Sequence, residues 1–292
     1  MYKIISDSAC DLSQAYINEH DITIVPLSVS FDGENYFRDG IDITRNECYQ
    51  RMVDNPGTYP KTSLPSVDSY YTIFKEYAEQ NIPVICFTIS LIFSGSYNSA
   101  MNAKGLIEEE YPDAKIYIID SKQNTVTQAL IVDQTVRMRN DGLSLEKTLE
   151  MIDKLIASAR IFFTVGSLDY LQMGGRIGKV AAAASKIDVK PVIIMKDGDI
   201  GLGGIGRNRN KLKKKVLAVA DKYLTEKGKD NFVVSVGYGY DASEGVAFMG
   251  EVEEALGVKL QSETNVAIGI VSAVHTGPHP IGLGCIQKYE TL

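Results

Sequence analysis

Three short segments of this sequence carry hydroxyl, glycine or histidine residues in an arrangement suited to holding an anion. They are Thr62-Ser63-Leu64-Pro65-Ser66, Ser94-Gly95-Ser96 and His275-Thr276-Gly277-Pro278. Hydroxyl, imidazole and backbone N–H groups donate hydrogen bonds, and none of the three segments contains Asp or Glu. Thr62, Ser94 and His275 together therefore offer donors for a carboxylate, if the fold brings them to one place.

Ser94-Gly95-Ser96 lies between the apolar run 84–90 and a run of helical period over 97–110. Its backbone amides should therefore lie at a helix amino terminus, where free N–H groups and the helix dipole bind anions. A serine that merely caps the helix is the alternative. In the first segment Ser66 is placed to cap the next helix, which leaves the Thr62 hydroxyl free for a ligand.

Leu91-Ile92-Phe93 is an apolar stretch where a polar loop would be usual. An apolar loop beside a group of hydrogen-bond donors suggests an amphiphilic ligand with an anionic head group and an apolar tail. Packing of these side chains between domains is the alternative.

The composition excludes several classes of protein. The chain has 292 residues, of which 45% are hydrophobic, so it is apolar enough to bury a core and is not intrinsically disordered. Its apolar runs are far shorter than the roughly 20 residues of a spanning helix, and charged and hydroxyl residues interrupt the amino terminus, so we expect a cytoplasmic protein without membrane insertion.

The net charge of −7 argues against a nucleic-acid partner. One segment opposes it, since Arg207 to Lys215 holds six basic residues and no acidic one, which leaves −13 on the rest of the chain. The segment opens a predicted helix over 212–224, where cations oppose the helix dipole. Two interpretations of Arg207 and Arg209 stay open: they contact a partner or a phosphate group, or they form a solvated surface.

Cysteines and histidines show no metal-binding spacing. The four cysteines do not occur in closely spaced pairs, and the chain has only three histidines. We therefore expect buried reduced thiols and no metal site.

Apolar runs alternate with segments of helical period, which indicates an α/β protein with largely parallel sheets. The predicted strands are 2–6, 22–31, 84–90, 116–120, 161–165, 192–195, 232–237 and 267–274, and helical stripes cover 67–78 and 145–159. The pattern predicts two domains, 1–160 and 161–292, with His275 at the end of the last strand.

Two nucleotide-binding motifs are incomplete. Before Gly178-Lys179 the phosphate-loop glycine is replaced by Met173, and Val180 follows instead of Ser or Thr. The run 201–206 has dinucleotide spacing, yet no acidic residue ends the next predicted strand, so we interpret the run as a glycine-rich turn. No cofactor is expected.

In order along the chain, these motifs resemble the DegV family of bacterial fatty-acid-binding proteins, the binding subunits of fatty acid kinase. The resemblance covers nearly the whole chain. It comprises Asp7-Ser8 with Asp11-Leu12, Phe37 to Thr44, Thr62 to Ser66, Ser94 to Ala100, Tyr170-Leu171, Gly174 to Gly178, the Arg207 segment and His275 to Pro278.

The resemblance implies two α/β domains with a long-chain fatty acid buried between them in an apolar tunnel. It implies that Thr62, Ser94, Gly95 and His275 hold the carboxylate, supported by Ser63, Arg176, Thr276 and Gly277. Arg207, with Arg209, would dock an ATP-binding fatty acid kinase subunit. The protein itself would be non-catalytic, presenting the carboxylate for phosphorylation and carrying acyl phosphate toward phospholipid synthesis.

The sequence departs from the family pattern at Leu64, Ile92-Phe93, Gly203-Gly204 and His279-Pro280.

Two other functions stay open. One is a serine-dependent acyl ester hydrolase with Ser94 as nucleophile and His275 as base, although no Gly-x-Ser-x-Gly elbow is present. The other is a sensor that only reports lipid status.

Overall fold

The protein is described from a computed structural model that covers residues 2–180, 189–261 and 264–292. Within these residues the strands are β1 Lys3–Asp7, β2 Ile22–Val25, β3 Ser28–Ser30, β4 Phe37–Arg38, β5 Lys61–Ser63, β6 Val84–Thr88, β7 Ile116–Asp120, β8 Arg160–Thr164, β9 Lys190–Lys196, β10 Asp199–Gly206, β11 Phe232–Tyr238, β12 Val266–Ala267 and β13 Ile281–Gln287. The helices are α1 Gln14–Glu19, α2 Arg45–Asp54, α3 Val67–Glu79, α4 Ser96–Glu110, α5 Thr125–Asn140, α6 Leu145–Ser158, α7 Asp169–Met173, α8 Arg209–Lys227, α9 Ala242–Leu256 and α10 Ile270–Thr276.

The first sheet confirms the predicted parallel α/β arrangement. Its strand order is β2-β1-β6-β7, and every neighbouring pair is parallel. All residues of β1 and β6 are buried, as expected for strands covered on both faces, which explains their unbroken apolar runs. Strand β1 has β2 on one side and β6 on the other, so the direction in which strands are added to the sheet reverses at β1. The carboxyl ends of β1 and β6 therefore flank a crevice suited to ligands.

A small antiparallel sheet, in the order β4-β3-β5, lies next to this crevice. The single strand predicted over 22–31 is divided into β2 and β3 at Pro26, which has no N–H to donate to a ladder. Thr62 pairs with Val29 in this sheet, so a strand rather than a loop fixes its backbone.

The second sheet corrects the expectation of largely parallel sheets. Its order is β10-β9-β8-β13-β11-β12, and all pairs are antiparallel except β11 with β12. The alternation of apolar runs and helices could not reveal this, because β13 was not predicted. Gly282 and Gly284 lower its strand propensity, yet a Cβ at either position would collide with a neighbouring strand or helix.

The strand predicted over 267–274 is also wrong. Only Val266–Ala267 is extended, and α10 follows from Ile270 to Thr276. Five consecutive residues of α10 are buried, and a short, uniformly apolar run cannot be assigned to strand or helix from its periodicity. His275 therefore lies in the last turn of a buried helix.

The glycine-rich run 201–206 is not a turn, which overturns that interpretation. It belongs to β10, which pairs antiparallel with β9 and carries a register shift between Leu202 and Gly204. A Cβ at Gly203 would come within 2.8 Å of Ile194 on the neighbouring strand. Glycine is therefore required by close packing of the two strands.

The predicted helix starts are confirmed. Ser66 Oγ accepts from Ser69 N at 3.1 Å at the start of α3, and the basic segment opens α8, which Asn208 caps. All four cysteines are buried and unpaired, as expected for reduced thiols. Among the described residues no helix is both long and apolar enough to cross a bilayer.

Helix α5 joins the two large sheets. Thirteen of its residues are buried, and one continuous apolar cluster includes Ile4 from the first sheet, Leu130 from α5 and Ile193 from the second sheet. Burial on nearly all sides explains why α5 lacks a polar stripe. The division into 1–160 and 161–292 stays a prediction, now with β8 beginning at the proposed boundary.

Candidate functional site

One cavity brings the three predicted segments together. It has a volume of about 210 Å³ and lies beyond the carboxyl end of β6, between the small sheet, α10 and the second sheet. Seven of the predicted residues line it: Thr62, Ser63, Ser94, Gly95, Arg176, His275 and Thr276. The apolar part of the wall consists of Leu27, Leu64, Ile89, Phe93, Phe163, Leu171, Met195, Ile200 and Val271.

Thr62 and His275 are in direct contact although 213 positions separate them in sequence. Thr62 Oγ1 lies 3.0 Å from His275 Nε2. Strand β5 supplies the threonine and the last turn of α10 supplies the histidine. The pair forms one polar edge of the cavity.

His275 is held as a neutral imidazole. Burial, together with the positive charge of Arg176, lowers the pKa of His275 to about 4. One ring nitrogen of a neutral imidazole donates and the other accepts. The Nδ1 atom is buried and has no hydrogen-bond partner within the described residues, and Gly174 approaches it so closely that a Cβ there would collide with it.

Ser94 and Gly95 lie at the amino terminus of α4, as predicted. Gly95 is the N-cap residue, and Ser94 Oγ accepts from Ser96 N at 3.2 Å while sharing a hydrogen bond of 2.8 Å with Ser96 Oγ. Ser94 therefore takes part in local capping and also lines the cavity. The positive end of the α4 dipole points to the same place.

Arg176 is the one cation in the cavity wall, and no Asp or Glu lines the cavity within the described part of the chain. Its guanidinium donates from Nη2 to the Phe93 carbonyl at 3.0 Å and from Nη1 to the Gly174 carbonyl. Burial lowers the pKa of Arg176, yet a guanidinium stays charged near neutral pH. Its positive charge thus faces the cavity without a carboxylate beside it, which favours an anionic ligand.

The apolar loop divides between two environments. Phe93 lines the cavity, whereas Leu91 and Ile92 are 51% and 55% exposed. Leu64 lines the wall next to Gly95 and is itself 43% exposed, so apolar side chains continue from the cavity to the surface.

Gly277 does not line the cavity. It ends α10 at φ +76°, with its N–H donating to the Ala273 carbonyl, and a side chain there would collide with the Tyr170 ring. Its role is thus to end the helix that carries His275.

Several wall residues were missed by sequence reasoning, among them Asn124, Leu171, Met195, Ile200 and Ser272. They come from elements on both sides of the cavity. Asn124 Nδ2 lies 3.5 Å from Ser272 Oγ, so these two extend the polar edge. Apolar wall residues have the same sequence pattern as core residues, so no local signal distinguishes them.

Arg207 and Arg209 lie away from the cavity and differ from each other. Arg207 is exposed and makes no ion pair within the described residues. Arg209 is half-buried and donates from Nε and Nη2 to Glu244 at 2.8 and 2.7 Å and from Nη1 to the His279 carbonyl at 2.9 Å. Only Arg207 is therefore free to meet a partner without breaking internal contacts.

The geometry does not support ester hydrolysis. Ser94 is hydrogen-bonded to Ser96, and His275 to Thr62, rather than to each other. A histidine with a pKa of about 4 is a weak base near pH 7, and within the described residues no carboxylate orients its Nδ1 atom.

Comparisons with known proteins agree with these features. Residues 1–288 match the model of the DegV family, which is described as uncharacterised. The chain is 28% identical over 287 residues to a DegV domain-containing protein of Clostridium acetobutylicum, covering 98% of each. A crystal structure described as a stearic acid-binding protein from Eubacterium ventriosum is 74% identical, with a TM-score of 0.98 and full coverage of both chains.

A structure described as showing fatty acid binding of a DegV family protein from Thermus thermophilus is 26% identical to this chain. Its TM-score is 0.86, and the match covers 98% of this chain and 99% of that one. The match of the family model over almost the whole length, the shared fold and the cavity lined by the predicted segments lead to one conclusion. This chain belongs to the DegV family.

Proposed function

We propose that this protein binds a long-chain fatty acid in the cavity, with the carboxylate at its polar edge and the acyl chain along its apolar wall. The observation that carries the proposal is the convergence of Thr62, Ser94, Gly95, His275 and Arg176 on an otherwise largely apolar cavity without an acidic residue among its described lining. The Eubacterium ventriosum protein, described as stearic acid-binding, supports the same ligand class.

Each polar group has a separate task in this proposal. The Thr62 hydroxyl donates to one side of the carboxylate while it accepts from Nε2–H of the neutral His275 ring, and Ser94 and the Gly95 amide donate from the start of α4. Arg176 supplies a positive charge, and its backbone contacts to Phe93 and Gly174 hold the loops in place. Ser63 and Thr276 extend the polar edge, and Gly277 ends α10 behind His275.

The two-domain division, 1–160 and 161–292, is part of the proposal. The ligand would then lie between the two units, since Thr62 and Ser94 come from the first and Arg176 and His275 from the second. What supports this placement of the ligand is that residues from both ranges line the cavity.

We also propose that the protein is a non-catalytic subunit that presents the carboxylate to an ATP-binding fatty acid kinase in the cytoplasm, and that acyl phosphate leaves toward phospholipid synthesis. Arg207 would dock the kinase because its guanidinium is exposed and unpaired within the described residues. Arg209 supports the same surface through its contacts to Glu244.

Mass spectrometry of gently purified protein tests the binding proposal. We expect about one fatty acid per chain, exchangeable with added stearate. A chain that repeatedly carries none and binds no added fatty acid contradicts the proposal. Acyl phosphate production in the presence of the kinase separates a substrate-presenting subunit from a lipid sensor, which would not support that reaction.

A further inference from the structure

The motif Asp7-Ser8 with Asp11-Leu12 has no task in the proposed site, yet the structure buries both carboxylates close to it. Asp7 is fully buried and well satisfied, since Oδ2 accepts from Ile89 N and Oδ1 from Gln128 Nε2, both at 2.8 Å. Asp11 is 5% exposed and differs, because neither oxygen has a hydrogen bond of good geometry within the described residues.

Asp11 lies where α10 begins. Its backbone has φ +56° at the end of a short 3-10 turn, and its carboxylate lies against Gly269, the N-cap residue of α10. The contact is so close that a Cβ at Gly269 would collide with Asp11 Oδ1. The Asp11 carboxylate is thus packed directly against the backbone of Gly269 at the start of α10.

Charge at this point is favourable for α10. The burial of Asp11 raises its pKa to about 6, while Arg45, the Gly269 amide and the Thr125 hydroxyl oppose that rise. The carboxyl is thus mostly ionised at pH 7.5. A negative charge at the start of a helix stabilises the free N–H groups of its first turn.

The other end of α10 carries the ligand group. The helix is seven residues long, and His275 is its next-to-last residue, held 3.0 Å from Thr62. Gly277 fixes the exit of the helix against Tyr170. One short, buried helix therefore connects the Asp11 carboxylate to the imidazole in the cavity.

We propose that Asp11 is a positioning residue for His275, which it holds against Thr62 through the amino terminus of α10. This inference rests on the proposed fatty-acid function, because it assigns the buried carboxylate a role in the geometry of that site.

The test replaces Asp11 by Asn, which has nearly the same shape and no charge. At pH 7.5 we expect stearate to bind about tenfold more weakly to Asp11→Asn. The histidine ring signals in the NMR spectrum supply a second measurement, because the chain has only His20, His275 and His279. The His275 signal should move, while those of His20 and His279 stay in place.

Asp133→Asn is the matched control. Asp133 is also a buried carboxylate, but it accepts from Tyr16 Oη at 2.7 Å and Gln261 Nε2 at 2.9 Å and does not line the cavity. Its replacement should lower stability without moving the His275 signal or the stearate affinity. If Asp11→Asn does not fold, Gly269→Ala displaces the carboxylate from the other side and should give the same two changes.

A folded Asp11→Asn protein with unchanged stearate affinity and an unchanged His275 signal overturns the inference. That outcome is distinct from failure of the proposed function, in which the unaltered protein itself binds no stearate.

Discussion

The polar edge of the cavity and the basic start of α8 both offer positive or donor groups, but they differ in how those groups are held. At the cavity, His275 is paired with Thr62, and Arg176 is held by two backbone carbonyls. At the start of α8, Arg207 is exposed and unpaired within the described residues. The first region is organised before a ligand arrives, whereas the second requires a partner to give it a defined geometry.

The largest expected effect comes from a charge in the apolar wall. Ile200 is 4% exposed and lines the cavity, so Ile200→Asp should reduce stearate affinity at least about a hundredfold by placing a carboxylate beside the acyl chain. Leu202→Asp is the control, since Leu202 lies on the same strand and is 48% exposed. Titration with a fluorescent fatty acid and a melting curve check both variants. Equal affinities in two folded variants would contradict the proposed path of the acyl chain.

Removal of the cavity's cation is next in size. Arg176→Met should weaken stearate binding about ten- to a hundredfold, because a charged hydrogen bond contributes about 1.5–3 kcal/mol. A methyl ester of the same fatty acid should lose much less, since it carries no charge. Arg137→Met, which removes a surface pair with Glu290, is the control and should leave both affinities unchanged. Equal losses for acid and ester would show that Arg176 acts only through the loops.

A smaller effect follows from the loss of one hydroxyl. Thr62→Val keeps the shape of the side chain and removes the hydrogen bond to His275, so we expect about a three- to tenfold weaker affinity for stearate. Thr23→Val removes a hydroxyl contact of the same length, to Tyr77 Oη at 3.0 Å, outside the cavity. Isothermal titration of both variants measures the difference. An affinity for Thr62→Val as high as that of the control would remove Thr62 from the head-group site.

Arg207→Ala should have the smallest effect on ligand affinity, within about twofold, because the side chain does not line the cavity. The same variant should lose acyl phosphate production when assayed with the kinase subunit. Lys154→Ala, which removes one exposed positive charge on α6, should retain it. Undiminished acyl phosphate production by Arg207→Ala would contradict the proposal that the basic segment docks the kinase subunit.

The α/β class, the parallel first sheet and the helix starts could be predicted because they depend on local information. Each of these features is predicted from a pattern within about ten residues: alternating apolar runs, a serine before a helical stripe, or a glycine-serine turn after a strand. The same local reasoning selected Thr62, Ser94, Gly95 and His275, with the family resemblance adding Arg176.

Other features depended on contacts between distant parts of the chain. The run 267–274 is apolar in either a strand or a buried helix, so only packing against α2 and the small sheet determined that most of it is α10. The antiparallel pairing of the second sheet depends on β13, which was not predicted as a strand because its glycines have low strand propensity. Tertiary structure alone decided three features of the site: the contact of Thr62 with His275, the neutral state of that ring and the burial of Asp11. Each arises from residues far apart in sequence. Desolvation and close packing, which cause them, exist only once the chain has folded.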